Sequence, residues 1–286
     1  MNKNRQKDYR VLIAGGGTGG HLFPAIAIGE ELEKCGFNIK FMGSKYGIES
    51  NSKHIDQDSI YLMDIKGIQR SFNIRSILSN LMLPLKIIRT YMQVNKVIRQ
   101  FKPNLVIGTG GYACALPVYA AIHKRVLTAI QEQNVLPGMV TNFFYKKVDV
   151  VFTSFPETMG YLDSKNIVCT GNPTRKNIVK LDRQESLIKL NLDPSKNTIL
   201  IIGGSQGAKS INNHFSNSYQ KYLDKDIQII WQVGLHSKEL IDTIKHKNIR
   251  IFEFIDDMGL AYSASDIVVS RAGATAISEI LFLEKP

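Results

Sequence analysis

The chain is 286 residues long, with 44% hydrophobic and 21% charged residues, a balance that is ordinary for a folded globular protein and excludes intrinsic disorder. That length exceeds what one core usually organises, so two domains of roughly 100 to 170 residues are expected. The formal net charge of +11 is unevenly placed: residues 1–171 carry 21 Lys and Arg against 12 Asp and Glu, whereas residues 172–286 carry 15 against 13. A basic first half favours an anionic partner (a nucleic acid, an anionic lipid surface or a phosphorylated substrate) or is simply a solubilising surface. Cys35, Cys114 and Cys169 have neither disulfide nor metal spacing and read as buried thiols of a reducing compartment. Residues 1–10 are polar and basic and pass into an apolar run of about five residues, too short for a signal-peptide core or a membrane span.

In chain order, strand-like runs alternate with helical stretches, the pattern of parallel sheets covered by helices on both faces. The first half predicts strands near 10–14, 38–42, 104–108, 126–130, 149–152 and 166–170, with helices near 20–34, 75–101, 112–123 and 136–146. Residues 171–197, punctuated by Gly171-Asn172-Pro173 and Asp193-Pro194-Ser195, read as a connection, and the boundary is placed at 172. The second half predicts strands near 198–202, 227–231, 249–253 and 266–269, with helices near 207–222, 236–246, 257–264 and 273–283. The last helix runs through Ile280-Leu281-Phe282-Leu283 into Glu284-Lys285-Pro286 with no following strand. The second domain is therefore expected to be incomplete and the chain a fragment. The fold class is α/β, with two Rossmann-like doubly wound domains over 1–171 and 172–286.

A glycine turn follows an apolar run twice: Gly15-Gly16-Gly17-Thr18-Gly19-Gly20-His21 after Val11-Leu12-Ile13-Ala14, and Gly203-Gly204-Ser205-Gln206-Gly207 after Ile199-Leu200-Ile201-Ile202. Strand, glycine turn and helix together bind phosphate well, because glycine admits close backbone approach and the helix N-terminus supplies unpaired N–H groups. The repetition suggests two similar halves facing one ligand cleft. Gly15, Gly17 and Gly20 also satisfy G-x-G-x-x-G, but a dinucleotide site needs an acid at the end of the second strand. That strand ends in Gly43-Ser44-Lys45, and the nearest later acid, Glu49, falls too far into the next segment, which argues against a nicotinamide enzyme. Neither turn carries the G-K-[ST] ending of a nucleoside triphosphatase.

His21, at the first turn of its helix, projects over the strand ends and is the candidate base; a helix-start histidine with local hydrogen bonds is the alternative. Gly108-Thr109-Gly110-Gly111-Tyr112 forms a third turn, and Gln131-Glu132-Gln133-Asn134 a polar cluster at a strand end, where an open α/β sheet lines its crevice. For Glu132 and Asn134, a capping network for the helix after Pro137 is the competing explanation. Asp224-Lys225-Asp226 lies at the other end of the sheet and reads as a solvated turn. Glu279, one helical turn after Thr275, can accept two hydrogen bonds from a ribose diol, or is an ordinary surface glutamate. The segment Ile74 to Ile88, flanked by Arg70, Arg75, Lys86 and Arg89, reads as a core helix with cationic ends, with an interfacial membrane helix as the alternative.

Taken together, Gly16-Gly17-Thr18-Gly19-Gly20-His21, Gly110-Gly111-Tyr112, Glu132-Gln133-Asn134, Gly171-Asn172-Pro173, Gly203-Gly204-Ser205-Gln206-Gly207-Ala208, Glu253-Phe254-Ile255-Asp256-Asp257-Met258 and Ser278-Glu279 closely resemble one family. It is the bacterial glycosyltransferase family that adds N-acetylglucosamine to undecaprenyl-diphospho-N-acetylmuramoyl-pentapeptide in peptidoglycan synthesis. The resemblance implies two GT-B-type domains around a cleft, an inverting transfer from UDP-N-acetylglucosamine, no cofactor or metal, and peripheral attachment to the cytoplasmic face of the inner membrane. It implies donor contacts at Thr18, Gly19 and Gly20, in a loop placed to meet a diphosphate, and at Asn134 and Arg175, a diphosphate contact at the Ser205 loop and a backbone contact to uracil at Ile255. Ala274, Thr275, Ala276, Ile277, Ser278 and Glu279 correspond to the segment whose glutamate holds the ribose, and His21 to a histidine proposed as general base. The family continues past this point with a strand and a glutamine pair that contacts the donor sugar.

The implied chemistry is direct displacement: the acceptor C4 hydroxyl attacks the anomeric carbon opposite UDP, with His21 as base. Helix N-termini, the Ser205 amide and Arg175 stabilise the departing diphosphate without a metal. The basic first half suits a lipid diphosphate in an anionic membrane. The main alternative is a UDP-sugar-binding homologue or inactive fragment without catalysis. A nicotinamide oxidoreductase ranks below it, and a nucleic-acid binder lacks any recognised module.

Overall fold

The structure is a computed structural model that describes residues 9–51, 55–65 and 83–286. It divides into two compact units, Met1–Pro173 and Thr174–Pro286.

In the first unit, β1 (Arg10–Ala14), β2 (Asn38–Ser44), β3 (Ile60–Met63), β4 (Leu105–Gly108), β5 (Leu127–Glu132), β6 (Val150–Thr153) and β7 (Ile167–Cys169) form one sheet. Its order is β3-β2-β1-β4-β5-β6-β7 and every pairing is parallel. Such strands are covered on both faces, which is why they read as unbroken apolar runs. Leu12 and Ala14 of β1 face a core shared with α2 (Leu83–Phe101) and α3 (Tyr112–His123), through Val94, Ile98, Cys114, Ala120 and Ala121. The alternate residue Ile13 lies toward α1 (Gly19–Lys34), where a Cβ on Gly29 would meet it and Phe41. α4 (Met139–Phe144) packs against α3.

The second unit carries β8 (Thr198–Ile202), β9 (Gln228–Gln232), β10 (Ile249–Phe252) and β11 (Ile267–Ser270) in the order β10-β9-β8-β11, again all parallel. One face holds Leu200, Ile202 and Ile230 against α5 (Arg183–Lys189) and α8 (Met258–Ala264). The other holds Ile201, Ile229 and Trp231 against α6 (Lys209–Leu223) and α7 (Glu239–Thr243). α9 (Ala274–Phe282) follows β11. Both sheets run outward from their first strand and then return to its other side. A ligand crevice is expected at that reversal, between β1 and β4 in one sheet and between β8 and β11 in the other.

Several expectations are corrected. The sheet edge strand β3 is one short apolar run, Ile60-Tyr61-Leu62-Met63, between polar stretches and was not anticipated; nor was α5, capped by the Asp182 side chain on the Glu185 amide at 2.9 Å. Pro137 and Gly138 delay the helix expected over 136–146 until Met139. The helix expected over 236–246 breaks into a 3₁₀ turn, Leu235–Ser237, and the short α7. Only Cys114 is buried, with its thiol pushed up to about 12 by desolvation; Cys35, after α1, and Cys169, on the edge strand β7, are exposed. Of the segment 74–88, residues 74–82 lie outside the described residues. On α2 the apolar residues divide: Val94 and Ile98 are core, whereas Leu85, Ile88 and Met92 are exposed at 60%, 56% and 58%. The described part thus packs one face on the core and leaves apolar side chains exposed on another.

Candidate active site

The first glycine turn leaves β1 with Gly16 at φ 139° and Gly17 at φ 84°, conformations that L side chains rarely adopt. Thr18 is the extended N-cap of α1, with no side-chain cap bond. Thr18 and Gly20 are exposed and Gly19 is buried. The third turn, after β4, locks onto this one. The Thr109 amide donates to the Ala14 carbonyl at 2.9 Å and its hydroxyl to the His21 carbonyl at 2.8 Å. A Cβ on Gly110 would stand 2.6 Å from His21 Nδ1, so only glycine admits the ring there. The two turns flanking the strand-order reversal thus converge on His21.

The His21 ring has one arrangement that satisfies its neighbours. Nδ1 lies 3.1 Å from the Thr109 carbonyl and 3.1 Å from Gln133 Oε1. Gln133 Nε2 donates to the Thr109 and Gln131 carbonyls at 2.9 and 3.0 Å and also to Gln131 Oε1, which turns its acceptor oxygen toward the histidine. Both neighbours of Nδ1 are acceptors, so Nδ1 carries a proton, and in the neutral ring the lone pair is on Nε2. A base needs that tautomer. Gln133 was visible in the sequence only as part of a polar strand end; its bond to His21 requires the adjacency of β1, β4 and β5.

The acid dismissed for its position also reaches the first turn. A 3₁₀ turn, Ile48–Asn51, folds back so that the fully buried Glu49 accepts from the Gly17 amide at 2.8 Å and the Ser44 amide at 2.7 Å. Glu132 is the capping residue of its cluster. It accepts from the Asn134 amide and side chain at 3.0 Å each, from the Gly138 amide at 2.9 Å, and from the Thr141 hydroxyl. Asn134 is exposed and held by that carboxylate.

In the second unit, the turn after β8 has Gly204 and Gly207 at φ 83° and 85°. It lies backbone to backbone on the end of β9, where the Leu235 and His236 amides donate to the Ser205 and Gln206 carbonyls at 3.1 and 3.3 Å. Asn212 secures it by donating to the Val233 carbonyl at 2.7 Å while accepting from Trp231 Nε1 at 3.1 Å. Ala208, the N-cap of α6, offers no side-chain cap to the first amides of the helix, and Ser205 in the turn before it is half-exposed.

Glu279 is not the surface residue its spacing allowed: it is 4% exposed. Its Oε1 accepts from Arg175 Nη2 at 3.2 Å and its Oε2 from the Tyr262 hydroxyl at 3.1 Å. Burial and the neighbouring Glu279 charge raise the Tyr262 phenol, which remains a donor. Ala274 to Ser278 form the first turns of α9; Ser278 bonds back to the Ala274 carbonyl at 2.9 Å, and Thr275 Oγ1 is buried with no hydrogen-bond partner among the described residues. The Ile255 amide donates to Gln232 Oε1 at 2.9 Å. Tyr262 went unnoticed in the sequence, where it looks like one more apolar residue of a helix. Asp226 adopts φ 59° and pairs with Lys196 at 2.6 Å, as a solvated turn should.

Residues 11–153 match the glycosyltransferase family 28 N-terminal domain and residues 198–286 the family 28 C-terminal domain. The fold and its paired strand-end turns are therefore those of a glycosyltransferase. The chain is 36% identical over 281 residues to the UDP-N-acetylglucosamine--N-acetylmuramyl-(pentapeptide) pyrophosphoryl-undecaprenol N-acetylglucosamine transferase of Christiangramia forsetii, covering 97% of this chain and 76% of that protein. It is 36% identical over 285 residues to the same transferase of Flavobacterium psychrophilum, covering 98% and 77%. The crystal structure of Acinetobacter baumannii MurG matches with a TM-score of 0.65 and 25% identity, over 96% of this chain and 76% of that one. The Staphylococcus aureus MnaA-UDP co-structure, at 17% identity and a TM-score of 0.66 over 97% and 78% of the two chains, shares the fold. The chain belongs to the family of UDP-N-acetylglucosamine--N-acetylmuramyl-(pentapeptide) pyrophosphoryl-undecaprenol N-acetylglucosamine transferases.

Proposed function

We propose that the protein moves N-acetylglucosamine from UDP-N-acetylglucosamine to the C4 hydroxyl of undecaprenyl-diphospho-N-acetylmuramoyl-pentapeptide, with inversion, in peptidoglycan synthesis. The observation that carries this reading is the tautomer of His21, with Nδ1–H committed to Thr109 and Gln133 and Nε2 left as a proton acceptor. Nε2 takes the acceptor hydroxyl proton as the oxygen attacks the anomeric carbon; the bond from that carbon to the UDP oxygen breaks, and UDP leaves with the electron pair. Charge develops on the diphosphate, where the amides around Ser205 at the start of α6, with Arg175, stabilise it. Glu279, with Oε1 held by Arg175 and Oε2 by Tyr262, retains a second lone pair on each oxygen for the ribose hydroxyls. Ile255 and the Ala274–Ser278 turn are assigned to the uracil and ribose side, and Thr18, Gly19, Gly20 and Asn134 to the sugars.

Peripheral attachment to the cytoplasmic face of an anionic membrane is part of the proposal. Among the described residues no helix is long and apolar enough to cross a bilayer. Leu85, Ile88 and Met92 on α2, beside Lys86 and Arg89, and Leu136, Met139 and Phe143 around α4, beside Lys146 and Lys147, are exposed apolar groups bordered by cations. That combination suits a lipid headgroup interface.

The test is transfer of radiolabelled N-acetylglucosamine from the UDP-sugar into a lipid-extractable product. Incorporation that depends on the acceptor supports the reading. UDP binding in calorimetry without incorporation would leave a nucleotide-sugar-binding homologue in its place.

A further inference from the structure

Glycines are explained differently in the two turns. In the first turn, a Cβ on Gly16 would stand 2.4 Å from the Glu49 carboxyl carbon; on Gly43 it would stand 2.5 Å from Glu49 Cγ, and on Gly47 2.1 Å from Glu49 Oε2. Three glycines from separate segments therefore make room for one side chain. That side chain is fully buried, and its two oxygens take the Gly17 and Ser44 amides. A carboxylate bonded to a glycine-turn amide is chemically what a bound phosphate oxygen would be. In the second turn the crowding comes from the chain's own backbone: Cβ atoms on Gly203 and Gly207 would meet the Ala208 amide nitrogen and the Val233 carbonyl at 2.4 and 2.3 Å, and one on Gly204 would meet nothing within 4 Å.

We infer that Glu49 is the internal anion of the first glycine turn: it holds Gly16 and Gly17 in their left-handed conformations, positions Thr18 to His21, and closes the Gly17 amide to a diphosphate. The carboxylate ties the end of β2 to the turn after β1, which sets where α1 begins. His21 sits on the first turn of α1, its carbonyl anchored by Thr109, so a shift of the turn moves Nε2. A second anion beside a buried carboxylate is repelled, which closes this amide to a diphosphate. The inference rests on the transferase reading for its kinetic consequence and on geometry alone for the amide assignment.

The test uses Glu49→Gln, which fits the same cradle but turns an NH₂ toward one of the two amides, donor against donor. Transfer by this variant should fall at least tenfold in kcat, with UDP affinity within twofold of wild type. A kcat within twofold of wild type overturns the proposal, and so does a loss of UDP affinity equal to the loss of kcat. Should the variant fail to fold, the wild-type protein decides. In ¹⁵N-labelled protein saturated with UDP, the Ser205 and Gly207 amides should shift and the Gly17 amide should not; a Gly17 shift as large as theirs overturns the assignment. A wild type that binds UDP but transfers nothing refutes the enzymatic reading while leaving this amide measurement intact.

Discussion

His21 and Gln133, 112 residues apart in sequence, meet through a 3.1 Å contact between Nδ1 and Oε1 that joins the Thr109 carbonyl in holding the proton on Nδ1. Removing the proposed base, His21→Ala, should lower kcat by about 10² to 10⁴, the general-base range, with UDP affinity unchanged. Gln133→Ala leaves Thr109 as an acceptor for Nδ1, so its loss should be smaller, about tenfold, with a similar donor KM. Steady-state transfer kinetics check both. Unchanged turnover in His21→Ala would remove the histidine from catalysis.

Tyr262 and Arg175 hold opposite oxygens of Glu279. Tyr262→Phe deletes a donor to a buried charged acceptor and should cost about 1.5–3 kcal/mol of stability. It should also weaken UDP binding by freeing the carboxylate to rotate. Glu279→Gln breaks the buried pair and should weaken UDP binding about tenfold or more. Calorimetry that finds wild-type affinity in Glu279→Gln would take this residue out of the ribose site.

Arg183 binds Asp266 with two hydrogen bonds of 2.9 and 2.8 Å, and the Thr198 amide adds a third at 2.7 Å. Burial pushes the Asp266 carboxyl upward, but the Arg183 hydrogen bond, the Thr198 amide and the charges of Arg183 and Lys285 outweigh it and hold the group below the usual carboxylate range. A depressed folded value means that the stabilisation is complete above the unfolded value of about 3.9 and is lost as pH falls through the lower folded one. Asp266→Asn should therefore cost about 1 kcal/mol of stability at pH 7 for a partly exposed pair, read as a lower Tm. The gap from wild type should close below about pH 4. A Tm difference that is constant from pH 7 to pH 3 would contradict this.

The exposed apolar residues of α2 and α4 belong to helices packed side by side through α3. Tyr91 lies 5.7 Å from Tyr119 between ring centroids, and Tyr119 lies 6.5 Å from Phe144. Leu85→Glu combined with Met139→Glu alters positions that are 60% and 77% exposed, so Tm should hold. Co-sedimentation with phosphatidylglycerol vesicles should fall about tenfold or more, because apolar burial is lost and like charge added. Wild-type co-sedimentation of the double variant would place the membrane contact elsewhere.

Local chemistry was legible in the chain itself. The strands, the glycine turns and the division into two α/β halves follow from apolar runs and punctuation, which are read over a few residues. Elements without such a signature, β3 and α5, were not, and Pro137-Gly138 shortened α4 because proline and glycine outweigh helical spacing at its start. The sequence also left the sense of each polar residue open. Glu132 takes the Gly138 amide before α4 and holds Asn134, Glu279 is buried rather than exposed, and Glu49, out of place for a dinucleotide's ribose, lies under the first turn.

What the sequence by itself determined is the kind of fold, the turns that carry the chemistry and the family, since these depend on residue types in order along the chain. The tertiary structure alone decided the His21 tautomer, the carboxylate inside the first turn and the Arg175–Glu279–Tyr262 contact. Hydrogen bonds join atoms according to their separation in space, and parallel strand order brings together Gly17 with Glu49, His21 with Gln133, and Arg175 with Glu279 across 32, 112 and 104 positions of sequence.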